Sequence, residues 1–405
     1  MKRDNDRLYD LFSPHFKADP FSTFAAMRRE APIYAHRDRQ GQTIWYVTRY
    51  DDVLEVLKDN DRFIKDARKL LPERPSTPHQ PSVQQLINQN MLFSDPPDHT
   101  RLRALVSQAF TPRRVERMAG RVQEVADDLL DAAAGQGKME AIADYALPLP
   151  VVVIAELLGI PAADQEQVAD WSQAIISPGS RGLSSRVRRR KMREFVDYLG
   201  DLFGERQAAP QDDLISALVQ AEEAGERLNP AELSSMVALL LVTGHETTVN
   251  LIGNGALALL RHPRQLALLQ ERPGLWETAV EELLRYDGPV ETSTNRCVAE
   301  DTLFQGHAMK RGDVMRVSLA SANRDAAHFD RPDELDVTRA ENKHLAFGFG
   351  IHYCLGAPLA RLEGVIALRT LFARFPDVRL AVPPDECRWR PGVLFRGLEM
   401  LPLTW

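Results

Sequence analysis

Apolar and polar positions recur with helical spacing over most of the chain, and above all between residues 97 and 286. The main helices that this spacing predicts span residues 20–30, 51–58, 110–133, 142–158, 162–176, 184–207 and 355–375. Short strand-like stretches cover residues 32–35 and 43–47 and recur after Pro289. The pattern predicts a mainly α fold with small β-sheets. Because no linker interrupts it, we expect a single domain over residues 1–405.

One predicted helix is unusually long. Asn229 is a good N-cap and Pro230 a good first residue, and the helical pattern continues to Arg261, where His262-Pro263 ends it. At 1.5 Å per residue such a helix would be about 48 Å long.

The middle of this helix changes character abruptly. Residues 236–242 are apolar on all sides and are followed by Thr243-Gly244-His245-Glu246-Thr247-Thr248. A glycine leaves room for a close neighbour, and an acid beside an alcohol can relay protons. A kinked helix with capped polar groups explains the segment equally well. A zinc site of the H-E-x-x-H type is excluded because position 249 is valine.

Two further patterns carry candidate chemistry. Glu282 and Arg285 share a helix face at i and i+3, which by itself fits an ordinary surface ion pair. Cys354 follows a loop with two glycines and starts a helix, where the free N–H groups and the helix dipole favour a thiolate. A thiolate is a good iron ligand, but a redox thiol, a nucleophile or a structural cysteine remains open. A phosphate loop is excluded because G-x-G-x-x-G is broken at Tyr353.

Composition narrows the function classes. The formal net charge is −7, which argues against a nucleic-acid binder. The three cysteines form no C-x-x-C pair, and the first residues show no signal peptide. No run of 18 apolar residues is present, so we expect a cytoplasmic protein without a membrane anchor. Residues 186–193 are strongly basic, typical of a solvated helix face, with a docking patch for an acidic partner or lipid headgroups as the alternative.

Taken together, these motifs resemble the cytochrome P450 family, and specifically its soluble bacterial members. The cysteine loop matches the pattern F-G-x-G-x-H-x-C-x-G at Phe347, Gly348, Gly350, His352, Cys354 and Gly356. Glu282-x-x-Arg285 resembles the family's Glu-x-x-Arg helix, and residues 243–248 resemble its oxygen-binding helix, with Thr243 as a mild departure. Residues 93–103, 295–296 and 322–325 resemble further family segments in the same order along the chain.

The resemblance implies a fold in which a triangular helical prism surrounds haem b. Cys354 would be the axial iron ligand, screened by Phe347 and held by the loop glycines Gly348, Gly350 and Gly356. The implied partners of the haem propionates are His99, Arg103, Arg296 and His352. Gly244 would lie beside the haem, and Glu246 and Thr247 would deliver protons to the distal side. Glu282 and Arg285 would be structural.

The implied activity is hydroxylation or epoxidation of a lipophilic small molecule with O₂. No flavin or iron–sulfur segment follows in the sequence, so we expect electrons from a separate ferredoxin and ferredoxin reductase. The substrate pocket would be lined by the loops 70–92 and 172–185 and by Val242, Thr243, Val290, Leu394 and Phe395. The alternatives are a peroxide-driven fatty-acid hydroxylase or decarboxylase and a catalytically silent recruitment domain. The intact Glu246-Thr247 pair argues against both.

Overall fold

The structure is a computed structural model, and it describes residues 9–38, 40–70, 89–176, 184–222 and 225–405. The described chain is mostly helical with small β-sheets, which confirms the predicted fold class. It divides into two compact units: the first comprises Met1–Leu71, Ala126–Ala146 and Thr247–Trp405, and the second comprises Pro72–Val125 and Leu147–Glu246. The single domain over residues 1–405 stays a prediction.

The first unit contains all of the β-strands that the structure describes. Its strands are β1 (Ile33–Arg37), β2 (Thr43–Val47), β3 (Phe63–Ile64), β4 (Lys138–Glu140), β5 (Arg296–Val298), β6 (Thr302–Phe304), β7 (His307–Met309), β8 (Val314–Val317), β9 (Arg379–Leu380) and β10 (Pro402–Thr404). They form a mixed sheet in the order β1-β2-β8-β5-β3, a sheet in the order β4-β10-β9, and the hairpin β6-β7. In the mixed sheet only the β2–β8 pair is parallel. This sheet packs its apolar side chains into a core with Val53, Val56 and Phe329.

The helices of the first unit are α1 (Pro14–Ala18), α2 (Pro20–Glu30), α3 (Tyr50–Lys58), α12 (Pro263–Glu271), α13 (Trp276–Asp287), α14 (Leu319–Ala322) and α15 (Ala357–Arg374). The second unit is helical in its described residues apart from short turns, with α4 (Asp98–Ala109), α5 (Pro112–Arg117), α7 (Pro148–Leu158), α8 (Gln165–Ile176), α9 (Ser185–Ala208) and α10 (Leu214–Gln220). Two helices contribute residues to both units, α6 (Ala119–Ala134) and α11 (Pro230–Arg261).

Helix α11 has the predicted bounds. Asn229 Oδ1 accepts from the backbone N–H of Ala231 and of Glu232, both at 3.0 Å, and Glu232 Oε2 accepts from the N–H of Asn229 at 3.0 Å. This is a capping box, which satisfies donors that the first helical turn leaves unpaired. The helix is long and apolar enough to cross a membrane, with a mean hydropathy of 1.3 over its most apolar window. However, 72% of that window is buried inside the protein, as in the core helix of a soluble protein.

Several predicted helices are wrong in detail. Residues 110–133 form two helices, because Phe110 ends α4 and the chain turns again at Met118 between α5 and α6. Residues 142–146 form a short π-helix, and α7 begins only at Pro148. Proline lacks the N–H that a continuing helix needs, which accounts for the new helix starts at Pro112 and Pro148 but not for the turn at Met118. The predicted loop segments 71–88 and 177–183 lie outside the described residues.

A buried ion network holds α13 to the chain segment that follows it. Arg285 Nε and Nη2 donate to the two carboxylate oxygens of Glu282 at 2.7 and 2.8 Å, and both side chains have no solvent contact. Arg339 Nε donates to Glu282 at 3.0 Å. Arg285 also donates to the carbonyl oxygens of Asn323, Pro332 and Glu334. The surface ion pair that the spacing alone allowed is therefore wrong, since the pair is structural and fully buried.

Replacing Arg285 by lysine is expected to destabilise the fold severely. Lysine keeps the charge but lacks the planar fork, which breaks the two-point pairing with Glu282 and leaves buried carbonyl oxygens without donors, at about 3 kcal/mol or more. We expect a much lower yield of soluble protein and a much lower thermal unfolding midpoint of the holoprotein. Arg331→Lys is the matched control, because Arg331 pairs with Glu334 at the same i, i+3 spacing while 59% exposed. An equal effect of both substitutions would contradict the structural role.

Candidate active site

Cys354 lies in a tight loop that leads directly into α15. Its backbone N–H donates to the carbonyl oxygen of Phe347 at 3.0 Å, which closes the loop. Gly348 and Gly350 have φ values of +71° and +73°, a region that favours glycine. A Cβ at Gly350 would also lie 2.9 Å from the carbonyl oxygen of Leu57. Glycine at these two positions therefore allows the tight turn of the loop.

The cysteine lies at the N-terminal end of α15. The helix begins at Ala357 with Gly356 as N-cap, two residues later than predicted. A Cβ at Gly356 would lie 3.9 Å from Cys354 Sγ, so the sulfur is close to the unpaired N–H groups of the first turn. These donors and the helix dipole favour a thiolate. The cysteine side chain is half-buried.

A second ionic cluster, which the sequence analysis missed, braces the loop. Glu281 on α13 accepts from Arg361 Nε and Nη2 at 2.6 and 2.9 Å, and its Oε2 lies 3.1 Å from His344 Nε2. Burial opposes ionisation of Glu281, but the hydrogen bonds from Arg361 and His344 prevail and lower its pKa to about 2. The Arg361 guanidinium lies 4.5 Å from the centre of the Phe347 ring. Glu281 on α13 therefore fixes Arg361 and His344, and these two side chains lie against the Phe347 ring.

The middle of α11 offers an accessible face within an otherwise buried run. Leu239 and Thr247 are half-buried and Thr243 is exposed, whereas the other residues of Met236–Leu241 are buried. The three positions lie four residues apart and therefore share one side of the helix. Glu246 is buried beside Thr247. Thr243 Oγ1 donates to the carbonyl oxygen of Leu239 at 2.7 Å, so its hydroxyl bonds to its own helix.

Gly244 does allow a close approach, as its place in the helix predicts. The neighbour that the structure shows is Ile154 on α7, since a Cβ at Gly244 would lie 3.0 Å from two of its side-chain carbons. Helix packing thus explains the glycine, and its place beside a haem stays a prediction.

The four predicted propionate partners lie on α4, on β5 and in the cysteine loop. His99 and Arg103 lie one turn apart on α4, with His99 buried. Arg296 is buried on β5, and its Nη1 donates to the carbonyl oxygen of Phe63 at 2.8 Å and to Asn60 Oδ1 at 3.1 Å. His352 precedes Cys354 by two residues and is half-buried. The roles of these four side chains toward a haem stay predictions.

The predicted substrate contacts form two groups. Val290 and Phe395 are bridge partners, and the carbonyl oxygen of Leu394 accepts from the N–H of Glu291 at 2.8 Å, so the structure brings these residues together. Val242 and Thr243 are neighbours on α11.

The residues of the cysteine loop fit a haem bound through Cys354. The loop presents a sulfur at a helix N-terminus, with cationic and histidine side chains on β5 and in the loop itself. Soft sulfur suits iron, and such side chains suit the carboxylates of a porphyrin. A bound haem supplies oxygen activation, which amino acid side chains do not provide.

Comparison with known proteins decides the family. A model of the family described as cytochrome P450 matches residues 180–391. The polyketide biosynthesis cytochrome P450 PksS of Bacillus subtilis is 46% identical over 97% of this chain and 98% of its own length. The chain belongs to the cytochrome P450 family.

Solved P450 structures agree with this assignment. PksS superposes with a TM-score of 0.91 at 44% identity, covering 97% of this chain and 99% of its own. P450BioI, in complex with an acyl carrier protein ligated to hexadec-9Z-enoic acid, gives a TM-score of 0.86 at 41% identity, covering 97% of this chain and 100% of its own. Cytochromes P450 are haem-thiolate monooxygenases, so this P450 is an oxidoreductase of the monooxygenase class.

Glu363 is a second site residue that the sequence analysis missed. It lies on α15 in the buried apolar stripe of that helix, between Leu359 and Ile366, and is 1% exposed. Burial raises its pKa from the ordinary 4.5 to about 8, and the neighbouring Thr248 side chain only partly opposes this shift. Thr248 is the residue after Thr247 on α11, so a carboxyl that is neutral near pH 7 contacts the candidate proton-delivery segment. The acid inside an apolar stripe was the available sequence signal.

The raised pKa predicts a particular dependence of stability on pH. The folded protein keeps the Glu363 proton up to about pH 8, while the unfolded chain loses it above about 4.5. Stability should therefore fall as pH rises through this window, by at most about 3 kcal/mol at pH 7. Glu363→Gln removes the titration and should raise the unfolding midpoint of the holoprotein by a few degrees at pH 7.5 but little at pH 5.

The control for this measurement is Glu300→Gln, a change at an exposed glutamate. It should leave the dependence of the midpoint on pH unchanged. A Glu363→Gln protein whose midpoint falls with pH as steeply as that of the wild type would show that Glu363 does not titrate in this window.

Proposed function

We propose that this P450 hydroxylates or epoxidises a lipophilic molecule of acyl or polyketide origin, using haem b ligated by Cys354. The observation that carries the proposal is the closed cysteine loop. Its Phe347–Cys354 backbone hydrogen bond fixes the cysteine at the N-terminus of α15, where a thiolate is favoured. His99, Arg103, Arg296 and His352 would pair with the two propionates, because buried carboxylates require hydrogen-bonding or cationic partners.

Proton delivery is assigned to Glu246 and Thr247. Thr247 is the accessible member of the pair and would place its hydroxyl at the reacting oxygen. Glu246 is buried beside it and would pass protons to that hydroxyl. An acid–alcohol pair of this kind supports use of O₂, since peroxide-driven relatives need no such relay. The peroxide-driven alternative would require turnover on hydrogen peroxide without electron donors.

The proposed substrate class rests on the lining residues and on the relatives. The predicted lining is mostly apolar, with Val242, Val290, Leu394 and Phe395. The Thr243 hydroxyl donates to the carbonyl oxygen of Leu239 in its own helix, so the lining suits a lipophilic chain. P450BioI was solved with a fatty acid carried by an acyl carrier protein, and PksS acts in polyketide biosynthesis. We propose that this P450 likewise receives its substrate as a carrier-protein thioester.

Electrons would come from a ferredoxin that is reduced by a ferredoxin reductase in the cytoplasm. The surface beside Cys354 exposes the rings of Phe349 and Tyr353. Lys58 Nζ lies 5.1 Å from the centre of the Phe349 ring. Exposed aromatic rings next to cations suit a small acidic electron donor and would keep the transfer distance to the cysteine ligand short.

The central test is the reduced, carbon monoxide-bound absorption spectrum. The wild-type protein should show the red-shifted Soret band of a thiolate-ligated haem, and Cys354→Ala should lose it because no other ligand supplies the sulfur. Cys387→Ala is the control, since it removes a buried cysteine elsewhere in the chain. Absence of the band in the wild type, or its survival in Cys354→Ala, would refute the assigned ligand.

Thr247→Ala tests the proton-delivery role. The variant should bind haem normally but form several-fold less product per electron pair, with the missing electrons appearing as hydrogen peroxide, because the hydroxyl that passes protons is gone. Thr247→Ser keeps a hydroxyl and should restore most of the coupling. The measurement is the yield of product and of hydrogen peroxide per NADPH consumed. Unchanged coupling in the alanine variant would count against the relay.

A further inference from the structure

The first two turns of α9 carry an unusual charged face. Arg186, Arg189, Arg190 and Arg193 are all exposed and lie at i, i+3, i+4 and i+7, so their side chains share one side of the helix over about 10 Å. We call these four residues the arginine face. Beyond it the exposed residues Glu194, Asp197 and Asp201 are acidic, which limits the face to the start of the helix.

The arginine face is separate from the contacts that hold α9 in place. The other two basic residues of the segment have structural partners: Lys191 Nζ bonds Asp170 at 2.6 Å, and Arg188 Nε donates to the carbonyl oxygen of Ala174 at 2.7 Å. The opposite side of the helix is apolar and buried, at Met192, Phe195 and Leu199.

Within the described residues, only Arg190 of the arginine face pairs with a carboxylate, that of Glu194 at 3.5 Å. This pair is exposed and contributes little to stability. Arg186, Arg189 and Arg193 have no carboxylate within 4.0 Å in that part of the chain. Three guanidinium groups are thus available for a partner.

Such a face works against the stability of the helix. Like charges three or four residues apart repel each other, and cations near a helix N-terminus meet the positive end of the dipole. The cluster also stands out in a chain with a formal net charge of −7. Local sequence choices that oppose the fold are expected at functional sites, where a partner offsets their unfavourable effect.

The character of the face selects the kind of partner. No large apolar side chain is exposed on α9, so the helix has nothing to insert into a membrane. The face spans only two turns and carries no exposed aromatic ring, which is too little for a nucleic acid. A helix with acidic residues at the same spacing matches it, because each carboxylate can then pair with one guanidinium fork.

We propose that the arginine face docks an acidic, helical carrier protein that presents the substrate as a thioester. This inference rests on the proposed function, in which the substrate is an acyl or polyketide chain. Binding does not involve chemistry at the thioester, and the face acts by holding the carrier near the enzyme through complementary charge.

The test measures binding of a palmitoyl-loaded bacterial acyl carrier protein to the haem-loaded P450 by titration calorimetry. Combined Arg186→Gln, Arg189→Gln, Arg190→Gln and Arg193→Gln substitutions should weaken binding at least about tenfold, since several charge pairs are lost. Wild-type affinity should fall steeply as salt rises from low to physiological concentration. The unfolding midpoint of the variant should stay unchanged or rise.

The matched control replaces four exposed arginines of the other unit by glutamine: Arg264, Arg272, Arg379 and Arg388. It changes the net charge by the same amount and should keep wild-type affinity for the carrier. Equal weakening by both sets would show an effect of total charge and overturn the docking site. A lowered unfolding midpoint in the arginine-face variant would overturn the argument that the face is dispensable for folding.

Two rival partners are measured with the same proteins, namely ferredoxin and vesicles of phosphatidylglycerol and phosphatidylcholine. The proposal requires that the arginine-face variant keeps its affinity for both. Selective loss of ferredoxin or vesicle binding, with carrier binding intact, would assign the face to that partner instead. No measurable carrier binding by the wild type would also overturn the proposal.

Failure of this inference is distinguishable from failure of the proposed function. The thiolate Soret band and the turnover of free palmitate report on the haem site without any carrier. If both are present in the wild type and in the arginine-face variant while carrier affinity is equal, only the docking site is wrong. If the thiolate band is missing in the wild type, the proposed function itself is wrong.

Discussion

The buried guanidinium of Arg285 connects α13 to the chain that carries the cysteine loop. It donates to Glu282 and to the carbonyl oxygens of Asn323, Pro332 and Glu334 with no contact to solvent. Asn323 in turn accepts from the N–H of Leu345 at 2.6 Å, two residues before Phe347. The position of the loop therefore depends on the buried Arg285 charge through these hydrogen bonds. Arg285 must keep all of its partners, because an unpaired charge in the interior is strongly unfavourable.

Neighbouring glutamates on α13 serve two separate networks. Glu282 pairs with Arg285 and Arg339, whereas Glu281 pairs with Arg361 and contacts His344. The first network fixes the chain that leads to the loop, and the second fixes Phe347 and the start of α15. Bidentate arginine–carboxylate pairs are directional as well as strong, so together they set where Cys354 lies rather than merely adding stability.

Local preferences are violated in three places, and each lies at a candidate functional feature. Gly244 interrupts a buried helix, Glu363 puts a carboxyl into an apolar stripe, and the arginine face gathers like charges at a helix start. Ile154 packs against the first, and Thr248 partly stabilises the charged form of the second. An external anionic partner is proposed for the third. Helix packing accounts for the first, and the other two are places where function can compete with stability.

The sequence by itself determined the features that depend on local chemistry. The bounds of α11 follow from the Asn229 cap and from His262-Pro263, and the tight cysteine loop follows from its glycines. The motifs, compared with a known family, also predicted the fold class and the reaction class. The sequence pattern did not predict the break between α5 and α6. The helical periodicity of apolar residues continues through Met118, where the chain turns.

Only the tertiary structure decided which charged groups meet. Glu281 and Arg361 are far apart in sequence, as are Thr248 and Glu363, and no local period encodes such pairs. The depth of burial was equally hidden, since Glu282-x-x-Arg285 has the same spacing whether it lies on a surface or in a core. Burial sets both the strength of these ion pairs and the pKa of Glu363. It arises when helices and strands that are far apart in the sequence pack together.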